Sequence, residues 1–252
     1  MHRIIYQIGP FTIYSYGLMV ALGFLLSTIF ILRDSKKFGL PRDAVFDCLI
    51  AILISGIVGG RLLFVLINYE YYLRYPLRVF LLNEGGMAIQ GALIAALLAG
   101  TVVVKWTKLP FWRTSDLIAP YIALGQAIGR IGCFLNGCCY GAVTDSGIGI
   151  TFPGESVVRI PTQVYSSVFL LMIFTVLITL RDRRPFDGCL FSMYLMLYSF
   201  FRFFMDFFRG DDLAFLGGLT LSQTISIGIF TLGAVLFFIL AVRGRTRTKT
   251  NR

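Results

Sequence analysis

This sequence predicts an all-α polytopic membrane protein of about seven transmembrane helices, and three observations carry the prediction. Hydrophobic residues make up 57% of the 252 positions and charged residues only 14%, whereas soluble domains carry about 25% charged residues. Mean hydropathy is +0.79, a surplus of apolar surface that one core of this size cannot hide. Apolar runs close to the roughly 20 residues that cross a bilayer recur along the chain between short basic loops. The same figures exclude a disordered chain, a collagen-like fibre and an ordinary water-soluble enzyme. The net charge of +10 does not argue for nucleic acid, because the basic residues sit between apolar runs, where they report membrane orientation.

In chain order the apolar stretches are 12–32, 44–68, 87–104, 115–135, 163–180, 188–208 and 221–242. The first is expected to remain as an anchor, since its positive charges follow it and no small-residue cleavage pattern closes it. Loops after the first, third, fifth and seventh stretches carry Arg33, Lys36, Lys37 and Arg42, then Lys105, Lys108 and Arg113, then Arg181, Arg183 and Arg184, and finally Arg243, Arg245, Arg247, Lys249 and Arg252. The other side carries Arg3, Arg74, Arg78, Arg159 and Arg209. Positive residues favour the cytoplasmic side, which predicts an external N-terminus and a cytoplasmic C-terminus. The expected organisation is a single transmembrane domain over 1–242 and a basic cytoplasmic tail over 243–252. Within the domain, 69–86 reads as an amphipathic arm at the bilayer surface. Residues 136–162, with β-prone runs such as Ile148–Phe152, read as a small extracytoplasmic head. No internal repeat of the transporter kind is visible.

Arg61, Arg130 and Arg202 fall within or at the ends of apolar stretches. An arginine there costs roughly 2.5–3.5 kcal/mol on insertion scales, so each needs a partner or a watery cavity. Arg61 follows Gly56-x-x-x-Gly60, a spacing that lets helices approach closely; it can brace the fold or serve a ligand. Tyr198, Arg202, Asp206 and Arg209 recur at i, i+4, i+8 and i+11, on one helical face. One carboxylate cannot neutralise two arginines, so this stripe reads as an anion site. Guanidinium suits phosphate because its planar fork donates to two oxygens at once.

The densest run of special residues is Gly129–Gly141, which reads Gly-Arg-Ile-Gly-Cys-Phe-Leu-Asn-Gly-Cys-Cys-Tyr-Gly. Its glycines permit close approach or positive φ, Arg130 supplies charge, and Asn136 can donate and accept. Gly137 and Gly141 are placed with them at a phosphate-bearing headgroup. The five cysteines are Cys48, Cys133, Cys138, Cys139 and Cys189. The only histidine is His2, so no nearby imidazole completes a zinc site with Cys133, Cys138 and Cys139. They read as small polarizable packing at a helix end, and neither metal nor cofactor is expected.

At these residues the chain resembles the prolipoprotein diacylglyceryl transferase family over nearly its full length. The family pattern G-R-I/L-G-N-F-I-N-G-E-x-x-G is similar to Gly129–Gly141. Tyr16-Gly17-Leu18-Met19 matches a first-helix motif, and Gly85–Gly91 resembles G-G-M-x-x-H-G. Ser115–Pro120 matches S-D-x-I-A-P, Phe201–Arg209 resembles F-R-x-x-x-E-F-F-R, and Pro161, Gln163 and Tyr165 match P-x-Q-x-Y. The sequence departs from the pattern at Gln90, where the family has a histidine, and at Cys133 and Cys138, which replace asparagine and glutamate. Ile160 and Ser166 replace histidine and glutamate, and Asp206 replaces glutamate.

The resemblance implies transfer of a diacylglyceryl group from phosphatidylglycerol to the lipobox cysteine of a prolipoprotein, forming a thioether and releasing glycerol phosphate. It implies a multi-pass protein of the bacterial inner membrane whose partners are phosphatidylglycerol, prolipoproteins and membrane lipids. Arg130, Arg202, Gln90 and Tyr16 are the expected catalytic residues. Arg61, Asn136, Gly137, Gly141, Tyr198, Asp206 and Arg209 join Arg130 in the expected headgroup site. Two other readings stay open: an altered or silent paralogue that binds phospholipid or lipoprotein precursor, and a transporter or channel.

Overall fold

Seven long helices form in the computed structural model, which describes residues 4–8, 11–81, 85–147, 149–154, 156–209 and 214–250. They are α1 (Ser15–Asp34), α2 (Arg42–Ile67), α4 (Ile89–Trp106), α5 (Phe111–Asn136), α6 (Thr162–Leu180), α7 (Cys189–Asp206) and α8 (Leu221–Thr250), with a short α3 (Tyr69–Arg74) after α2. Six of the long helices are long and apolar enough to cross a membrane; α7 is the exception. Its shortfall is chemical, since the polar stripe that ends in Arg202 and Asp206 lowers its hydropathy.

Boundaries differ from the sequence expectation at both ends. Ile4–Ile8 (β1) and Phe11–Tyr14 (β2) pair as an antiparallel hairpin, so the first helix begins at Ser15 and not at residue 12. The last helix continues to Thr250, through residues expected as a separate tail. Arg3 and Arg252 lie outside the described residues, as does Ile148 at the start of the β-prone run. The rest of that run pairs, Ile150–Thr151 (β3) against Val158–Arg159 (β4). A third hairpin, Ala214–Leu216 (β5) with Leu219–Thr220 (β6), was not expected. Its turn holds Gly217 at φ 56° and Gly218 at φ 84°, the two successive positive values that a tight hairpin turn requires.

The chain divides into two compact units, Met1–Ile31 with Ser115–Arg252, and Leu32–Thr114. In the first, α5 is the central helix because its buried face is made of small groups. Asp116, Ala119, Pro120, Ala123 and Ala127 recur at helical spacing and are buried. A Cβ on Gly23 of α1 would stand 3.0 Å from the Gly125 carbonyl oxygen, and one on Gly132 would stand 2.9 Å from Met19 Cβ. These glycines let α1 lie directly on α5. Side-chain hydroxyls stitch the helices further: Ser27 Oγ donates to the Tyr121 carbonyl at 2.9 Å and Ser167 Oγ to the Ala127 carbonyl at 3.0 Å. The buried Asp116 carboxylate accepts the Gly188 and Phe191 amides at 2.7 and 2.9 Å. It thereby caps the N-terminus of α7, where four amides would otherwise lack partners.

In the second unit α2 and α4 meet through Gly59 and Gly91. A Cβ on Gly91 would stand 2.4 Å from the Gly59 carbonyl oxygen, closer than any side chain tolerates. Gly56, the first glycine of the expected motif, makes only ordinary contacts at 3.8 Å or more, so the closest approach lies one turn away. The segment after α2 is short helices with outward apolar side chains: Leu73, Leu77 and Phe80 are 76%, 80% and 81% exposed. Large exposed apolar residues also cover α1, α2, α4, α6 and α8, an arrangement that water would penalise and hydrocarbon would not.

Candidate functional site

The motif Gly129–Gly141 leaves α5 at Asn136 and turns at once. Gly137 takes φ 69°, the left-handed value that commonly ends a helix, and open space surrounds its Cα. Cys139 also takes a positive φ, 65°, which is costly for a residue with a Cβ and persists only where neighbours enforce it. The start of α6 does so. Thr162 Oγ1 donates to the Cys139 carbonyl at 3.0 Å, and the fully buried Gln163 Nε2 donates to the Cys138 carbonyl at 2.7 Å. The loop is closed by Gly141 N to Ile160 O at 2.8 Å and Ala142 N to Phe208 O at 2.8 Å. Gly141 has a packing reason, because a Cβ there would meet the Phe208 carbonyl oxygen at 2.4 Å. Beyond it, Phe152 is buried against Phe134 and Tyr140, and the Arg159 guanidinium lies 4.7 Å over the Tyr140 ring. Within 136–162 the described residues thus form a small aromatic cluster beside a hairpin of two-residue strands.

Arginines converge beside this loop. Arg130 and Arg209 both act electrostatically on Arg202, together with Asp206 and Tyr198. The sole carboxylate in that group is Asp206, 4% exposed, paired with Arg202 Nη2 at 3.3 Å and accepting the Thr220 hydroxyl. Arg130 has no hydrogen-bond or carboxylate partner among the described residues, and the buried Arg209 Nε has no acceptor. Tyr198 stacks on Tyr194, centroids 5.7 Å apart, and Tyr194 Oη is held by Gln126 Oε1 at 3.0 Å. Tyr16 is brought close by the glycine contact, since the Gly132 Cβ position lies 3.4 Å from Tyr16 Cα, and its ring is 44% exposed. Asn136 Nδ2 donates to Cys138 Sγ at 3.4 Å.

Cys133, Cys138 and Cys139 place their sulfurs within 4.8 Å of one another. The Cys139 thiol is pulled down to about 5, first by a hydrogen bond from the Cys133 thiol; burial opposes this, and Cys138, Arg130 and Arg209 assist it. Cys138 shifts the other way, chiefly through burial. The sequence shows that these residues are near in number, but not that their side chains face one point.

Arg61 and Gln90 belong to the second unit. Arg61 is 5% exposed and donates to five backbone carbonyls: Val79 at 2.9 Å, Gly85 at 2.5 Å, Gly86 at 3.0 Å, Arg78 at 2.6 Å and Leu81 at 3.0 Å. Its face lies 5.5 Å from the Tyr72 ring. Each N–H of the guanidinium therefore has an acceptor within the protein. Gln90 stands exposed in the first turn of α4.

Asp116, Gln126, Thr162, Gln163 and Thr220 support the site without having been assigned to it from sequence. Asp116 and Gln163 fall inside the S-D-x-I-A-P and P-x-Q-x-Y matches, and Asp116 also stands out as a carboxylate inside an apolar run, which the bilayer penalises unless it is partnered; Gln126, Thr162 and Thr220 carried no such signal.

Fold and site together define a multi-pass membrane protein with a cluster of arginines around one buried carboxylate, chemistry suited to an enzyme that handles an anionic group. The model of the prolipoprotein diacylglyceryl transferase family matches residues 3–239, and the chain belongs to that family. Among its relatives, the phosphatidylglycerol–prolipoprotein diacylglyceryl transferase 2 of Clostridium perfringens is 36% identical over 98% of this chain and 99% of its own. The phosphatidylglycerol–prolipoprotein diacylglyceryl transferases of Halalkalibacterium halodurans and Geobacter sulfurreducens are each 36% identical, over 94% and 95% of this chain and 86% and 95% of theirs.

Proposed function

We propose that this chain transfers the diacylglyceryl group of phosphatidylglycerol to the lipobox cysteine of prolipoproteins at the outer face of a bacterial inner membrane. The observation that supports it best is the gathering of Arg130, Arg202 and Arg209 against one buried carboxylate. A phosphodiester placed there receives donors whose charge Asp206 cannot cancel. The acceptor sulfur attacks the glyceryl carbon, the carbon–oxygen bond breaks, and glycerol phosphate departs with one more negative charge than the diester carried. Arg130 and Arg202 stabilise that developing charge, while Asp206 and Thr220 hold Arg202 in place. Tyr16, Tyr198 and Asn136 orient the headgroup, with Gly137 giving the loop its turn beside it and Gly141 keeping the loop on α6. Gln90 is an amide and takes no proton. Arg61 holds the carbonyls of Arg78, Val79, Leu81, Gly85 and Gly86, because its donors are already used there.

In this reading α7 spans the bilayer as a seventh helix, its polar stripe turned to the protein interior. The N-terminus lies outside, 136–162 is the external head, 69–86 rests on the bilayer surface, and the C-terminus is cytoplasmic. Phosphatidylglycerol vesicles carrying the purified chain and a lipobox peptide test the reading: thioether-linked product and free glycerol phosphate are expected. Phosphatidylglycerol bound with no product under any condition would instead make the chain a lipid-binding paralogue.

A further inference from the structure

Cys133, Cys138 and Cys139 lie beside the arginines but have no part in phosphate binding. Their sulfurs all fall within 4.8 Å of one another. Zinc–sulfur bonds of about 2.3 Å in a tetrahedron set sulfur–sulfur edges of about 3.8 Å, so small side-chain rotations bring the three onto one ion. The backbone is already committed to this shape. Cys139 sits in a left-handed conformation, and the carbonyls of Cys138 and Cys139 are pinned by Gln163 and Thr162. Asn136 Nδ2 donates to Cys138 Sγ, the outer hydrogen bond that orients a ligand. Burial decreases from Cys133 through Cys138 to the exposed Cys139, so the cluster is open on one side. Three protein ligands with an open position are the arrangement of a reactive metal site rather than a purely structural one.

We propose that Cys133, Cys138 and Cys139 form a trithiolate site for a soft divalent cation, zinc in class, whose open fourth position takes the acceptor thiol. This rests on the transferase reading. The only histidine of the chain is His2 and Gln90 is no base, so the acceptor needs another route to its thiolate, and a thiol bound to such a cation is deprotonated outright. The acceptor gives its proton to water on binding. A lone pair of the bound thiolate then forms the carbon–sulfur bond, and the carbon–oxygen pair leaves on glycerol phosphate. The product thioether is neutral and a weaker ligand, so it vacates the position. Arg130 and Arg209 offset the negative charge of the thiolate cluster.

An ordinary thiol is about 3% ionised at neutral pH, so complete ionisation raises the reactive fraction about 30-fold; the lower nucleophilicity of a bound thiolate reduces this to a gain of about tenfold. The test uses the full chain in phosphatidylglycerol nanodiscs, stripped of metal and then given cobalt(II) or zinc. One cobalt per chain with sulfur-to-cobalt charge-transfer absorption is expected, lost in Cys139→Ser. A lipobox peptide should intensify that absorption, whereas the same peptide with serine for cysteine should not, and zinc should raise thioether formation about tenfold. No sulfur-bound cobalt, a spectrum indifferent to the peptide thiol, or transfer unchanged or slowed by zinc each overturns the proposal. A spectrum that responds to the peptide thiol with no thioether under any condition would instead refute the transferase reading and leave the binding site standing.

Discussion

The pair Arg202–Asp206 provides the sharpest test of the anion site, because its members differ in what they leave behind. Arg202 keeps 22% of its side-chain exposure and Asp206 has none. Removing one partner of a fully buried pair costs about 3–5 kcal/mol, and the partial access of water to Arg202 reduces this to about 2 kcal/mol for Asp206→Asn. That substitution also releases Arg202 from its ion pair with Asp206, so activity should fall with stability. Arg202→Gln leaves the fully buried carboxylate with the Thr220 hydroxyl alone; it should cost about 10²-fold in kcat/KM through the lost phosphate donor and at least as much stability as Asp206→Asn, about 3 kcal/mol. The double variant should be no slower than Arg202→Gln alone and no less stable than Asp206→Asn. The assays are thioether formation in phosphatidylglycerol vesicles and thermal unfolding of the same preparations. Two losses that simply add would refute a shared unit.

Arg130→Ala should reduce transfer by about 10²–10³-fold with little change in thermal unfolding, and Arg130→Lys should restore little, because an ammonium lacks the two-pronged fork. In metal-stripped protein Gln90→His should keep or raise transfer and flatten its dependence on external pH between about 6 and 9, where free thiols ionise; a slower variant with the parent's pH profile would refute this expectation. Arg61→Lys forfeits most of five carbonyl contacts, each worth about 1 kcal/mol or more, so lower thermal stability and faster proteolysis within 76–81 are expected while KM for lipid barely moves. A selective rise in KM would return Arg61 to the headgroup.

How far the sequence foretold these features depended on whether each had a local signature. The long helices did, since an apolar run of bilayer length is one, and so did the α7 stripe, whose spacing of four residues places Tyr198, Arg202 and Asp206 together on a straight helix. The partners of Arg61 did not: backbone carbonyls carry no residue type, and Gly85 and Gly86 lie more than a helix away in number. The hairpin at Gly217–Gly218 did have one, a glycine pair between apolar residues, but 214–220 falls between the apolar stretches 188–208 and 221–242 and reads there as a connection. The N-terminal hairpin was hidden because Phe11–Tyr14 continues the apolar composition of α1, so composition alone could not mark where strand becomes helix.

The departures from the family pattern are not scattered over the pocket at random. The residues proposed to hold phosphate, Arg130, Asn136, Gly137, Arg202 and Arg209, all match the family pattern, and Asp206 preserves its carboxylate. An arginine in an apolar helix costs roughly 2.5–3.5 kcal/mol when nothing uses it, so a chain released from phosphate chemistry would gain by losing Arg130 and Arg202 first. It has kept both, with Arg130 unpartnered among the described residues. The other changes, at Gln90, Cys133, Cys138, Ile160 and Ser166, remove histidine, glutamate and asparagine side chains of the family pattern, and two of the five introduce a thiol. Cys139 then completes a cluster that neither Cys133 nor Cys138 would make alone. In the proposed reaction, a retained phosphate clamp with a replaced means of ionising the acceptor accounts for that division, and it puts this chain's departures from the family pattern on the sulfur side.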